Sequence, residues 1–397
     1  MLKKFLVTIG SRYLIAVLNL AIVLLSTRFL GVEGLGFTSL FVLCIALNQQ
    51  ICSFVGGGAL VYLTPRHNVA TLMLISYFGA TSIHVLLIPV YVYFKPFDPA
   101  YFPMFLSISL INVFYTTNLS IMLGKEKVEM YNLISFFQVF LLALVFGLLA
   151  FKVENITPMH YVIASGISYF MAFAGSSGIV LKETPEKPEW NIMHTLSQIA
   201  KFGFFSETGN IMQLLAYRLN YILISKWLGL AALGEFSLAV QLTEGLRIFS
   251  KGVATVEYSY FSNTESFNRR VSITRKSIQA SFIFTIVGLA ILLCLPASVL
   301  TKIFGSEFHH TRLIVSLLAP GILFLSAGTI ISPFFSGQGK HYINAIGSLI
   351  CFVVTAGFAF LLIPLWGLPG AAIVNSLAYI AMFVYLFLIY RKHLLIS

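Results

Sequence analysis

Charge is scarce in this chain. Only 10% of its 397 residues are Asp, Glu, Lys or Arg, where a soluble domain carries roughly 25%. No stretch is polar enough for a soluble domain, so catalysis by an appended domain is excluded. Regular strand-like alternation over about 10 residues between turns is missing too, which argues against a β-barrel. The four cysteines (Cys44, Cys52, Cys294 and Cys351) all lie in apolar runs without a CxxC pair, so neither a thiolate metal cluster nor a disulfide framework is expected. There is no P-loop, and hence no direct drive by ATP. His309 and His310 are adjacent, a poor geometry for sharing one metal from a helix. No metal and no cofactor are therefore expected. The formal net charge is +11, yet no basic segment offers the solvent-exposed surface that nucleic acid needs. The basic residues read instead as marks of cytoplasmic loops.

Apolar residues dominate. They make up 58% of the chain, and the mean hydropathy is +0.91. The runs are long enough for α-helical spans, which need about 20 residues each. Divided at charges, Pro and Gly, they predict twelve helices: 5–30, 34–64, 69–94, 99–123, 128–151, 157–181, 197–228, 231–261, 274–300, 312–335, 340–365 and 368–391. The expected fold is an all-α integral membrane protein. The basic start, MLKKFLVTIG, is followed by a long run holding Arg12 and Asn19 and no small-residue cleavage site, so it reads as a retained first span. With the N-terminus in the cytoplasm, inside loops carry clusters such as Lys125 and Lys127, Arg269 and Arg270, and Arg391 and Lys392. Outside loops then hold only Arg28, Lys95, Lys152, Lys226, Lys302 and Arg312. This bias puts both termini on the cytoplasmic side.

The chain repeats itself. RFLGVEGLGFTSL, from Arg28 to Leu40, aligns without a gap to KWLGLAALGEFSL, from Lys226 to Leu238. Leu30, Gly31, Leu35, Gly36, Ser39 and Leu40 recur at an offset of 198 residues, Gly229 standing for Gly31. A weaker echo pairs Asn132 with Asn344. The expected organisation is a six-helix bundle over 1–181, a cytoplasmic linker over 182–196 and a second six-helix bundle over 197–397. Because six is even, the two halves run in the same sense, a parallel repeat about an axis along the membrane normal.

Ionisable residues concentrate on the seventh and eighth spans. Such groups at membrane depth are costly and usually face a bundle interior or a hydrated cavity. Glu207 and Arg218 share a face but stand about 16 Å apart along the axis at a 1.5 Å rise, so each needs another partner. Glu244, Arg247 and Lys251 form one stripe, and Arg247 and Lys251 repel unless an anion or carboxylate intervenes. Pairing of Glu244 with Arg247 and of Glu257 with Lys251, purely for packing, is the competing account. Arg12 lies about two turns inside the cytoplasmic end, where it meets an anion or snorkels to the interface. Asn19 shares its face. The 198-residue offset sets Gln49 opposite Arg247, so that Asn48 and Gln49 offer neutral groups suited to sugar hydroxyls or to interhelical hydrogen bonds. Gly56, Gly57 and Gly58 weaken the second span, as a hinge or for close packing. Arg12, Arg218, Arg247 and Lys251 are thus candidates for binding an anion. Asn19, Asn48 and Gln49 are candidates for glycan contact, and Glu207, Glu244 and Glu257 for proton coupling.

FLGVEGLG at the end of the first span, KWLGLAALGEFSLA at the seventh and eighth, and LWGLPGAAIVNSLAYI near the end resemble the polysaccharide-transporter (O-antigen flippase) family. That family lies in the multidrug/oligosaccharidyl-lipid/polysaccharide exporter superfamily. The resemblance implies two pseudo-symmetric six-helix bundles around a central cavity that switches by alternating access. It further implies a bacterial inner-membrane location and a role in lipopolysaccharide or other surface polysaccharide biosynthesis. The cargo would be an undecaprenyl-pyrophosphate-linked oligosaccharide, moved from the cytoplasmic to the periplasmic leaflet. Membrane lipid and the polysaccharide polymerase machinery would be the partners. Two other readings stand beside it: a cation-coupled multidrug exporter of the same fold, and a membrane assembly partner that transports nothing.

Overall fold

The computed structural model describes residues 2–182, 192–262 and 266–396, so most of the expected 182–196 linker lies outside the described residues. Every regular element among them is helical, because a backbone surrounded by apolar solvent must satisfy its polar groups within its own segment. The elements are α1 (Leu2–Cys52), a 3₁₀ turn (Ser53–Val55), α2 (Gly57–Leu63), α3 (Val69–Phe94), a 3₁₀ turn (Pro99–Tyr101), α4 (Phe102–Gly124), α5 (Val128–Lys152) and α6 (Pro158–Lys182). They continue with α7 (Ile192–Trp227), α8 (Gly229–Ser262), α9 (Phe267–Cys294), α10 (Ala297–Phe304), α11 (Thr311–Ser336) and α12 (His341–Ile396).

The two longest helices are each two spans joined at a glycine. α1 turns at Gly31 (φ 69°) and α12 at Gly367 (φ 60°), a backbone region that glycine reaches without steric cost. Counting these halves separately, with α3 to α9 and α11, gives the twelve spans expected. Among the described residues, eight stretches, two of them containing these double helices, are long and apolar enough to cross a membrane. α7 and α8 carry the ionisable residues. Several boundaries differ from the sequence reading, and the seventh span begins at Ile192, five residues early and inside the expected linker. The second span is broken at 53–56. The ninth begins at Phe267, seven residues early, on a basic turn. It ends at Cys294, because Leu295 is extended ahead of Pro296, as a residue before proline prefers.

The chain divides into two compact units, Met1–Leu30 with Thr38–Ile211, and Gly31–Phe37 with Met212–Ser397. In the first, Leu60, Leu63, Leu72, Ile75, Tyr115, Met122 and Ile199 form a core drawn from α2, α3, α4 and the start of α7. Asn118 of α4 ties this core together, accepting from Tyr77 Oη (2.6 Å) and donating to Ser176 and Ser177 (3.1 and 3.0 Å). In the second, Phe334 of α11 packs edge-on to Phe335 and Tyr390. The repeat is visible in both. The fourth span of each half is the more enclosed one, α4 in the first and α11 in the second. Each ends in a turn closed by the same five-residue bond, Lys127 N–H to Met122 O and Lys340 N–H to Phe335 O.

The tightest expression of the repeat lies inside the second unit. A Cβ placed on Gly36 would overlap the Leu230 carbonyl oxygen, and one placed on Gly234 would overlap the Val32 carbonyl oxygen. Gly36 and Gly234, and Val32 and Leu230, are repeat-related pairs, so the contact is reciprocal. Two backbones cross where only glycine fits, as small residues allow in membranes. Ala at Gly36 or Gly234 must therefore push one backbone off the other. Each substitution is expected to cost about 1–3 kcal/mol or more, the range for overpacking, and to lower the thermal midpoint in detergent. Gly245→Ala, whose Cβ would meet nothing within 4 Å, should leave that midpoint unchanged; equal losses in all three variants would contradict the crossing.

Candidate functional site

Two polar constellations emerge, one in each unit. In the first, the second span stops at the 3₁₀ turn Ser53–Val55 and restarts at Gly57. Gly57 has φ +49°, and a Cβ there would lie 2.6 Å from Glu207 Oε1. Conformation and space both require glycine. The break frees backbone donors at the start of α2. Glu207, 2% exposed, supplies the acceptor: Oε1 accepts from Gly58 N–H (3.1 Å) and Oε2 from Asn210 Nδ2 (3.0 Å) and from Gln50 Nε2. Gly203, one turn earlier on α7, lets that helix approach the Phe54 carbonyl. The glycine run is thus a break whose open end is capped by a carboxylate from another helix.

The other first-unit candidates divide. Asn48 has no exposed surface, and its Oδ1 meets His84 Nδ1 at 2.9 Å. In this structure it is an interhelical tie, the alternative weighed for it from the sequence. Gln49 donates to Ser53 one turn on at 2.8 Å. Arg12 and Asn19 are exposed along α1, consistent with a shared face. An apolar groove of about 630 Å³, lined by Met73, Leu74, Tyr77 and Phe78 among others, contains none of the candidate residues.

In the second unit, α7 and α8 bring the charged stripe together with aromatic rings. Arg218 Nη2 donates to Glu244 Oε2 at 2.8 Å, and Nη1 to Tyr221 Oη at 2.9 Å. The competing account paired Glu244 with Arg247; the hydrogen bond to the carboxylate comes from Arg218, one helix away, while the Arg247 charge also acts on it. Arg247 is 4% exposed. Its Nη2 donates to Thr329 Oγ1 (3.3 Å), its guanidinium stands over the Tyr217 ring (5.6 Å), and Nε has no hydrogen-bond partner. Tyr217 packs edge-on against Tyr379, whose buried Oη likewise has no hydrogen-bond partner. Nearby on α7, Asn220 donates to Asn375 Oδ1 (2.7 Å) and to the Ala371 carbonyl (3.2 Å), fixing α12 to α7. Lys251 is exposed and Glu257 buried.

Sequence reasoning found the ionisable members and noted Tyr217 beside them without choosing between a site and an interface role, but it did not find Thr329 and Tyr379. Nothing in an apolar run distinguishes a Tyr that faces an Arg from one at an interface. It also set His309 and His310 aside, whereas the structure places both on the turn before α11 with Glu235 beside them.

Helical spans paired as two repeats, with buried charged groups in the second, define a multi-pass membrane protein. Solved structures agree. An inward-facing multidrug resistance MATE family transporter of the MOP superfamily matches 96% of this chain and 94% of its own at 16% identity, with a TM-score of 0.76. A lipid II flippase MurJ in an inward closed conformation matches 98% and 88% at 15% identity, with a TM-score of 0.77. Residues 176–313 match the family described as "Polysaccharide biosynthesis protein". A capsular polysaccharide biosynthesis protein CapF of Staphylococcus aureus is 27% identical over 120 residues, 30% of this chain and only 30% of that relative's length. The resemblance to a polysaccharide family, read from the sequence motifs, is thus borne out as a resemblance over residues 176–313, and the fold is similar to that of the two solved structures.

Two outcomes follow from these geometries. Arg218→Ala strands Glu244 without its charged donor and should destabilise by about 1.5–3 kcal/mol, the scale of a hydrogen bond to a charged group; adding Glu244→Ala should recover part of that loss. Thermal unfolding of the single and double variants checks the coupling, and purely additive losses would dissolve it. Glu207→Leu removes the acceptor from Gly58 N–H. Hydrogen exchange over residues 57–60 should then accelerate relative to the native chain, and unaltered protection would deny Glu207 its capping role.

Proposed function

We propose that this chain is a flippase that carries an undecaprenyl-pyrophosphate-linked oligosaccharide from the cytoplasmic to the periplasmic leaflet of a bacterial inner membrane, by alternating access and with both termini in the cytoplasm. The observation that supports this reading is Arg247: a buried guanidinium held by a hydroxyl and an aromatic ring, with its Nε without a hydrogen-bond partner. A buried cation whose hydrogen-bonding capacity is not fully taken up by the protein suits an anion, to which charge-assisted hydrogen bonds are strong and directional. The partial family match and the named polysaccharide relative point to the same substrate class. The polyprenyl tail would stay in lipid while the pyrophosphate meets the cations.

Outward movement of an anion is favoured by an inside-negative potential, by about 2.3 kcal/mol per charge per 100 mV. Potential alone is a sufficient drive. Among the acids, Glu207 is our candidate for proton coupling, because neutralising it would weaken the acceptor that holds the second span broken. Export of cationic drugs on this fold would call for an acidic group where Arg247 stands.

The test is translocation of lipid-linked oligosaccharide into the outer leaflet of proteoliposomes. Arg247→Ala should abolish it, by roughly 100-fold or more if the loss exceeds about 2.7 kcal/mol, while the folded fraction is kept. Arg247→Lys, which retains charge but not the fork, should recover only part. Full activity in the Ala variant would return Arg247 to a packing role.

A further inference from the structure

We infer that Glu235, His309 and His310 form a binding site for a divalent transition metal such as zinc, on the turn that precedes α11. The three residues each offer one ligand atom, and these atoms lie within 4.8 Å of one another. Glu235 stands near the start of α8, 74 residues from His309 in sequence, so the fold alone brings them together. Adjacent histidines on a helix would point in different directions. Here both sit in the turn between α10 and α11, with ring centroids 4.0 Å apart.

The site is built rather than incidental. The Glu235 side chain is 8% exposed. Its Oε1 accepts the His310 backbone N–H, which orients the carboxylate, and its Oε2 lies 3.2 Å from His310 Nδ1. Orientation of a ligand by a hydrogen bond on its other atom is a recurrent feature of metal sites. The turn itself is fixed from two sides: Phe308 is buried, and Glu307 Oε2 accepts from Val32 N–H at 2.9 Å. Both imidazoles are exposed, so an ion can reach them.

Metal–ligand distances of about 2.0–2.1 Å for zinc place tetrahedral ligand atoms roughly 3.3 Å apart. The Glu235–His310 pair already has this separation. His309 needs only a small rotation of an exposed side chain to complete three ligands, with the fourth position open to water. Two imidazoles and one carboxylate favour zinc, nickel or cobalt over magnesium or calcium. A bound ion would tie the start of α8 to the turn that also holds the Val32 amide. It would thereby brace the glycine crossing of Gly36 and Gly234.

The full chain, purified in detergent without a polyhistidine tag, should bind zinc at one ion per chain in competition with a chromophoric chelator, and bind no magnesium. Zinc should raise the thermal midpoint, since an ion that binds only the folded state stabilises it by linkage. His309→Ala and His310→Ala should each weaken zinc binding by roughly 10- to 100-fold. His309→Ala should leave the zinc-free midpoint unchanged. Glu235→Gln keeps an oxygen for the His310 amide but loses the anionic ligand, and should weaken binding with a smaller effect on folding. Substoichiometric zinc, or binding indifferent to both histidine substitutions, would overturn the site.

Discussion

A carboxylate reaching from one helix to the exposed backbone amides at the start of another is the interaction on which this fold depends. The first amides of any helix lack an intrahelical acceptor, and in an apolar surround an unmet amide costs several kcal/mol. This protein breaks its helices repeatedly, and three of the restarts are met in the same way. Glu207 accepts from Gly58 at the start of α2, Glu307 from Val32 where α1 resumes after Gly31, and Glu235 from His310 at the start of α11. Each negative charge also faces the positive end of a helix dipole, which is favourable. The few acids of this chain, 14 in 397 residues, thus hold broken helices in place. Glycine supplies the break, and the remote acid makes the break affordable.

The cations divide by a different logic. Arg218 spends its charge on Glu244 and reads as a brace between α7 and α8. Arg247, three residues beyond that acid, is given a threonine hydroxyl and a tyrosine face. Burial of a charge is costly; the nearby Glu244 carboxylate, shared with Arg218, offsets part of that cost, and on the proposed function an anionic cargo would offset more during part of a cycle. The repeat sharpens the contrast, because the equivalent position is the neutral Gln49, which turns back onto Ser53 of its own helix. The two halves share a backbone plan and differ in charge, so that one carries the cation and the other does not.

Much of this was legible in the sequence. Length, hydropathy and the 198-residue repeat give twelve spans, and Gly31, Gly36, Gly229 and Gly234 recur because the same turn and the same crossing are built twice. The charged stripe on α8 was legible as well, since an ionisable residue in an apolar run is conspicuous. Partnership was not. Glu244 sits one turn from Arg247 in sequence, and only the packing of α7 on α8 reveals that Arg218 claims it. For Asn48 the sequence left sugar contact and an interhelical hydrogen bond equally open, with no sign that His84 lies opposite it. Sequence spacing reports which side chains share a helix face, whereas pairing between helices depends on rotation and depth, which apolar residues hardly encode.

These assignments bear on the sign of the cargo. An exporter of cations needs carboxylates that can exchange a drug for a proton. Here Glu207 is engaged by an amide and two side-chain donors, Glu244 by Arg218, Glu235 by His310, and Glu307 by Val32. Releasing any of them to bind a cation would open a helix end or strand an arginine. Glu257 is the buried acid outside these contacts, and it lies on the far end of α8 from Glu235. Displacing Arg247, by contrast, disturbs its hydrogen bond to Thr329, its contact with the Tyr217 ring and its attraction to Glu244, and opens no helix. On the proposed function, Arg247 is the buried group that an anionic cargo can engage without opening a helix end.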